Sequence, residues 1–177
     1  MSKLNQIVKK IRSKQKLDDR EVPGFDPSNG NENARFLLLM EAPGPKAVAS
    51  GFVSLDNNDY SARNLRTQLQ EANIAREEIV IWNIVPWYLG NIEGTKIRAP
   101  KGEDIKKGLD YLSDLVACLD KLECIVLVGG AARRSHVRLS YETDIRFLSC
   151  HHTSGRNTLP GAAEQNVKVF RRMATPK

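Results

Sequence analysis

Four short apolar segments recur along the chain and predict the strands of a sheet. They are residues 35–41 (RFLLLME), 78–84, 123–128 and 144–150. The first is continuously apolar and bounded by turn-forming residues, and the others repeat this pattern, which is typical of strands buried on both faces of a parallel sheet. We therefore expect four parallel strands at the centre of the fold.

Segments with apolar residues at helical spacing surround these strands. They are residues 2–16, a helix marked by Ala62, Leu65, Leu69 and Ala72, a longer one marked by Ile105, Leu109, Leu112, Val116 and Leu119, and residues 130–139 and 161–173. Ser61 is predicted to cap the second helix. The alternation of helices and strands predicts an α/β domain in which helices cover both faces of a parallel sheet.

The first predicted helix carries Lys9, Lys10, Arg12, Lys14 and Lys16 around its apolar face. It is interpreted either as a docked helix with a solvated basic face, which we favour, or as an arm that faces phosphates. We divide the chain into this basic amphipathic helix, residues 1–20, and a single α/β domain, residues 21–177.

Irregular segments follow or precede the strands. Residues 22–33 are rich in turn formers and predict no regular structure. The connections 42–60 and 86–102 are long for a compact domain and contain aromatic residues, which favours a functional role.

Polar residues stand where the predicted strands end. Glu41 ends the first strand, Asn83 the second, and His151 and His152 follow the fourth. Ligands of open parallel sheets bind beyond the carboxyl ends of the strands. Each residue alone has a structural explanation, but their common placement predicts one site.

Composition and charge narrow the classes of protein. The 27 basic and 21 acidic residues give a net charge of +6, which favours a polyanionic partner. The N-terminus lacks an apolar signal-peptide core, and no apolar run is long enough to span a membrane, so we expect a cytoplasmic protein without a membrane partner. Cys118, Cys124 and Cys150 form no C-x-x-C pair, so we expect no metal or cofactor.

Three short motifs then suggest a family. They resemble, in order, the three motifs of the uracil-DNA glycosylase superfamily, and they are MEAPG at 40–44, NIVPW at 83–87 and HTS at 152–154. The segment at 51–65 is similar to the stretch that supplies an aromatic residue to stack on the base. The resemblance covers roughly residues 22–170 and implies a three-layer α/β/α sandwich with a central four-stranded parallel sheet.

The resemblance also implies hydrolysis of an N-glycosidic bond in DNA, on a base flipped out of the helix. Glu41 would orient a water and offset positive charge on the sugar. His152, by analogy with the H-P-S motif, would stabilise negative charge on the leaving base. Asn83 would read the edge of a pyrimidine and complete the catalytic set.

Further residues are assigned to binding. Phe52 would stack on the flipped ring, the backbone amides of Ala42 and Gly44 would contact the base, and His151 is an alternative to His152. The residues expected to contact the DNA backbone are Ser154, Arg156 and Lys46.

The sequence departs from the family pattern at several positions. Gly44 stands where the uracil-specific branch has a tyrosine that blocks pyrimidines with a group at C5, and Ala42 stands where that branch has an aspartate. Thr153 replaces proline in the third motif, which should change the rigidity of the loop. Relatives with a GEAPG motif often hold an iron–sulfur cluster on four cysteines, and the three cysteines here predict none.

The leading hypothesis is a monomeric glycosylase that acts on uracil or another modified pyrimidine in single- or double-stranded DNA. One alternative removes bulky modified cytosine from foreign DNA, such as phage DNA. A second keeps the fold but only binds damaged DNA. A third acts on a nucleotide or phosphorylated metabolite, although the P-loop and G-x-G-x-x-G patterns are absent.

Overall fold

A computed structural model describes residues 1–91, 96–155 and 159–175. The described helices are α1 (Lys3–Gln15), α2 (Pro45–Ser50), α3 (Tyr60–Glu71), α4 (Gly102–Ala117), α5 (Gly129–Arg133), α6 (His136–Glu142) and α7 (Ala162–Ala174). The described strands are β1 (Gly24–Phe25), β2 (Phe36–Met40), β3 (Phe52–Val53), β4 (Ile79–Asn83), β5 (Cys124–Val128) and β6 (Arg146–Cys150). Two 3₁₀ turns, Asn31–Asn33 and Arg76–Glu78, precede β2 and β4.

The central sheet has four parallel strands in the order β4-β2-β5-β6. The register places Met40 opposite Asn83 and Val128 opposite Cys150, so the strands end together at one edge. The prediction of a four-stranded parallel sheet is confirmed, and each predicted strand bound lies within two residues of the observed one.

The strand side chains alternate between two hydrophobic clusters, one on each face of the sheet. Leu37 and Leu39 point to the cluster that α1 and α4 cover. Leu139 of α6 also belongs to this cluster. Phe36 and Leu38 point to the cluster that α3 and α7 cover. The fold is therefore a three-layer α/β/α sandwich, and the fully buried strands explain why their sequences are apolar at consecutive positions.

The apolar face of α1 belongs to the same cluster as the sheet. Leu4, Ile7, Val8 and Ile11 are buried there. On the basic face, Lys10 pairs with Asp114 of α4 at 2.5 Å. This packing supports the docked interpretation of the helix, while the division of the chain at residue 20 stays a prediction.

Several local predictions need correction. The connection 42–60 contains α2, which Pro45 begins and Gly51 ends in a left-handed conformation, and also β3. Segment 22–33 contains β1, which pairs with β3. The single helix predicted at 130–139 is two helices, α5 and α6. The cap of α3 is Asp59, whose carboxylate accepts from the Ala62 amide at 2.8 Å, and not Ser61.

Candidate active site

A cleft of about 790 Å³ opens beyond the carboxyl ends of β2 and β4, and its volume is within the range of small-molecule sites. Glu41, Asn83 and His152, which stand far apart in the sequence, all line it. The remaining wall comes mainly from the segments 42–47, 53–62 and 97–98. The sheet edge therefore brings together the residues that were predicted to share one site.

Glu41 and Asn83 are placed by a hydrogen-bond ladder that continues past the ends of their strands. The Ile84 amide donates to the Met40 carbonyl at 2.8 Å, and the Val85 amide donates to the Glu41 carbonyl at 3.0 Å. Because β2 and β4 remain paired here, the backbone of Glu41 is fixed beside that of Asn83. Backbone geometry of this kind holds a reacting group more precisely than a flexible loop does.

The amide of Asn83 has a donor without a partner. Its side chain is 3% exposed, and Nδ2 has no hydrogen-bond partner among the described residues. A buried donor that bonds to nothing costs about 1–3 kcal/mol. Since Asn83 lines the cleft, this cost is removed when a ligand offers a hydrogen-bond acceptor, such as a ring carbonyl, to Nδ2.

His152 is held as a neutral imidazole. Burial lowers its pKa, and the nearby charge of Glu41 opposes that shift without reversing it. The Ser154 amide donates to Nδ1 at 3.0 Å, so in the neutral ring the proton is on Nε2. His152, whose side chain lines the cleft, therefore carries a neutral N–H group of the kind that can stabilise a developing anion.

The loop that carries His152 is anchored through Thr153. This side chain is 2% exposed, and its hydroxyl lies 2.9 Å from the hydroxyl of Ser61 on α3. Its carbonyl accepts from the Asn64 side chain at 2.8 Å. Both the side chain and the backbone of Thr153 are therefore hydrogen-bonded to α3, which fixes the loop.

A partly buried ion pair supports the wall formed by the connection from β3 to α3. Asp26 pairs with Arg76 at 2.5 Å, and Arg76 also binds Asp56 at 2.7 Å. The hydroxyl of Ser54, a residue of the cleft wall, donates to Asp26. Burial raises the pKa of Asp26, but these hydrogen bonds and the charge of Arg76 outweigh burial and lower it, so the carboxylate stays charged and holds the wall.

The connection from β4 to α4 supplies the opposite part of the wall. Gly90 and Ile97 pair as an antiparallel bridge, which brings Ile97 and Arg98 into the cleft. Arg98 forms two hydrogen bonds with Asp104 of α4, at 2.6 and 2.9 Å, which lower the pKa of Asp104 to about 2. The sequence motifs did not identify Ile97, because the bridge that brings it to the cleft has no local signal.

The sequence matches the family model of the uracil DNA glycosylase superfamily over residues 27–174. The chain belongs to the uracil DNA glycosylase superfamily. The superfamily consists of DNA glycosylases, which act on DNA, so DNA is the partner at this level. No curated protein matches the sequence significantly.

One similar solved structure shows the same fold. It is the solution NMR structure of a candidate uracil DNA glycosylase from Methanosarcina acetivorans. The TM-score is 0.52 at 18% sequence identity, and the match covers 81% of this chain and 93% of the other. At this identity the likeness supports the fold, while the site has to be argued from the residues themselves.

Of the two histidines in the third superfamily motif region, the structure brings only His152 into the cleft. His151 turns toward α7, where its Nε2 lies 2.7 Å from the Gln165 carboxamide oxygen. Its backbone amide donates to Asn166 Oδ1 at 2.8 Å. His151 is not part of the cleft wall, so the geometry favours His152, and a contact of His151 with substrate stays a prediction.

The aromatic residue in the cleft differs from the one that the superfamily resemblance suggested. Phe52 lies on β3, is 42% exposed and is not part of the cleft wall. Tyr60, the first residue of α3, is 66% exposed and does line the cleft, with the Arg63 guanidinium 5.4 Å from its ring centroid. The sequence signal that could have identified Tyr60 was the long connection 42–60, because Tyr60 is its last residue.

The residues of the first superfamily motif leave open space in the cleft. Ala42 and Gly44 line the cleft, and a Cβ added to Gly44 would meet nothing within 4 Å. Ser154 also lines the cleft, whereas Lys46 on α2 is exposed and outside the cleft wall. Arg156 lies outside the described residues.

The cysteines do not fit the cluster that some superfamily members carry. Cys124 begins β5 and Cys150 ends β6, opposite Val128, so the two lie at opposite ends of the sheet. Burial raises the pKa of the Cys150 thiol to about 12, which disfavours the thiolate that a metal requires. In the described ranges, no three His, Cys, Asp or Glu side chains are grouped to hold a metal ion. Among the described helices, none has the length and apolar character to cross a membrane.

Proposed function

We propose that the protein hydrolyses the N-glycosidic bond of uracil or a related modified pyrimidine in DNA. The observation that carries this proposal is the buried Asn83 donor, which has no partner among the residues that the structure describes, in a cleft shared with Glu41 and His152. A pyrimidine carbonyl would satisfy Nδ2, and a cleft of this size has room for a flipped base.

The chemistry follows from the positions of the three side chains. As the bond from the sugar C1′ to the base nitrogen breaks, its electron pair goes to the base and the sugar becomes cationic. The neutral Nε2–H of His152 and the amide of Asn83 stabilise the base anion. The Glu41 carboxylate stabilises the sugar cation, takes a proton from a water, and directs that water to C1′.

The test is release of a free base, identified by mass spectrometry, together with an alkali-labile site in the DNA. The substrates are single- and double-stranded oligonucleotides with uracil, 5-substituted uracils or modified cytosines. We expect Glu41→Gln to lower the rate by about 10²–10⁴-fold, and the exposed control Glu77→Gln to leave it unchanged.

The outcomes separate the competing functions. A protein that binds damaged DNA in a gel-shift assay but releases no base from any substrate would be a binding module. Stabilisation by free nucleotides and not by uracil or DNA, measured by thermal shift, would favour a metabolite enzyme. Equal rates for Glu41→Gln and the parent would contradict the role of Glu41.

A second candidate substrate class is a pyrimidine with a bulky group, including modified cytosine in foreign DNA. The space beside Gly44 favours it, because the backbone there is extended and a Cβ added to Gly44 would meet nothing within 4 Å. We expect Gly44→Tyr to keep activity on uracil and lose activity on C5-substituted bases. Equal loss on both substrates would show that position 44 does not control access to C5.

We assign base stacking to Tyr60 in place of Phe52, because Tyr60 lines the cleft. Tyr60→Ala should raise KM for a damaged oligonucleotide more than Phe52→Ala does, since stacking on a base contributes about 1–3 kcal/mol. Both side chains are largely exposed, so neither change should unfold the protein. The reverse order of KM effects would restore Phe52 as the stacking residue.

A further inference from the structure

Gly129 lies directly behind the ring of His152. It follows β5, is buried, and has a φ of +88°. A Cβ added here would lie 2.9 Å from His152 Cδ2, 3.0 Å from its Cβ and 3.3 Å from its Cγ. The closest of these distances is shorter than side chains tolerate, so any other residue at 129 requires the His152 ring or the backbone at 129 to shift.

Other glycines show that this contact is separate from backbone conformation. Gly51 has a similar φ of +78°, yet a Cβ there would meet nothing within 4 Å. Gly130, the next residue, also has open space around it. Positive φ explains why glycine is favoured at 51 and 129, but only at 129 does the missing side chain make room for a histidine.

His152 is held on its other sides as well. The Ser154 amide fixes the tautomer through Nδ1, and Thr153 anchors the backbone to α3. Since β5 and β6 are parallel neighbours, Gly129 and His152 continue adjacent strands past the sheet edge. Gly129 therefore completes the enclosure of the imidazole from the side of β5.

We propose that Gly129 is a positioning residue for His152: its lack of a side chain lets the imidazole lie against the end of β5, where it faces the cleft. The consequence for catalysis rests on the proposed function, because it assumes that His152 stabilises the leaving base. The position of the His152 ring can be measured without any substrate.

The experiment compares Gly129→Ala with Gly51→Ala, which introduces similar backbone strain without the contact. The side-chain ¹⁵N chemical shifts of His152, assigned with a His152→Ala sample, report the place and tautomer of the ring. We expect them to change in Gly129→Ala and to stay at parent values in Gly51→Ala. On a cleaved oligonucleotide, Gly129→Ala should lower kcat by about 10²-fold with KM nearly unchanged, as a misplaced catalytic group does.

The two proposals fail in distinguishable ways. Parent-like His152 shifts in folded Gly129→Ala would overturn the positioning role even if the parent releases base. A parent that releases no base would overturn the proposed function, while shifted His152 signals would still support the positioning role. Shifted signals with an unchanged kcat would overturn the catalytic consequence.

A double-variant series covers the case in which Gly129→Ala does not fold. His152→Gly removes all three atoms that the new Cβ would meet. If the contact causes the damage, Gly129→Ala should lower Tm much less in the His152→Gly background than in the parent. Equal lowering in both backgrounds would assign the damage to backbone strain and overturn the proposal.

Discussion

The two ends of the central sheet use polar residues in opposite ways. At the amino end, Arg35 binds Glu123 through two hydrogen bonds of 2.8 and 2.9 Å and Glu78 through one of 2.5 Å. At the carboxyl end, Asn83 keeps a buried donor without a partner among the described residues, and burial keeps His152 neutral.

The difference separates stability from chemistry. Arg35 precedes β2, and its partners Glu78 and Glu123 precede β4 and β5, so their ion pairs join three strand starts. At the carboxyl end, the buried Asn83 donor without a partner among the described residues costs stability, which is common where a site binds a ligand. Variants at the amino end should therefore lower stability and keep activity, whereas variants at the carboxyl end should lower activity and keep stability.

Among the variants that compare the two ends of the sheet, the largest effect is expected for Asn83→Leu. This change removes the cleft donor and should lower base release by about 10²–10³-fold, the usual loss for one such donor. It also removes an unsatisfied buried group, so Tm should stay at or above that of the parent. Activity assays and thermal denaturation check both parts.

Asn166→Leu provides the matched stability control. Asn166 is equally buried, but it donates to Gln68 and His151 and accepts from the His151 amide. Its replacement should lower Tm clearly, because these partners lose their bonds. A comparable fall in Tm for Asn83→Leu would show that Asn83 is structural.

A smaller effect is expected at the amino end. Arg35→Ala should lower the free energy of unfolding by about 1 kcal/mol, since the pairs are partly exposed and screened, and leave catalysis unchanged. Arg20→Ala, which breaks a more exposed pair, should change it less. Loss of activity in a stable Arg35→Ala variant would contradict the assignment of stability to the amino end and of activity to the carboxyl end.

The same ion pairs predict a pH dependence. The hydrogen bonds from Arg35 lower the pKa of Glu123 below its ordinary value of 4.5, so the pair stabilises the fold above that pH. This stabilisation is lost as the pH falls through the lowered pKa. Urea denaturation should therefore show the parent and Arg35→Ala converging in acid, whereas a gap that persists there would contradict the assignment.

The smallest expected effect concerns the pKa of His152. Burial lowers this pKa below the ordinary value of 6.5, and the charge of Glu41 partly opposes the shift. Glu41→Gln removes the opposing charge, so the pKa should fall further. A titration followed by NMR checks the direction, and a rise would show that Glu41 does not face the imidazole.

The sheet was predictable from the sequence because burial on both faces leaves a continuous apolar signal, as in residues 36–40. The candidate site was partly predictable, since Glu41 and Asn83 end strands and His152 follows one. The choice between His151 and His152 was not predictable, because the two are adjacent and their contacts come from α7, β5 and α3. Tyr60 was missed for the same reason, as its place in the cleft depends on where α3 begins.

The sequence by itself determined the order of the four central strands and of the long helices around them, and the set of polar residues at one sheet edge, since local periodicity and burial encode both. Tertiary structure decided which of these residues share the cleft, that Asn83 Nδ2 finds no partner in the described part of the chain, and that Gly129 makes room for His152. These properties depend on distances between residues far apart in the chain, and those distances exist only after the layers have packed.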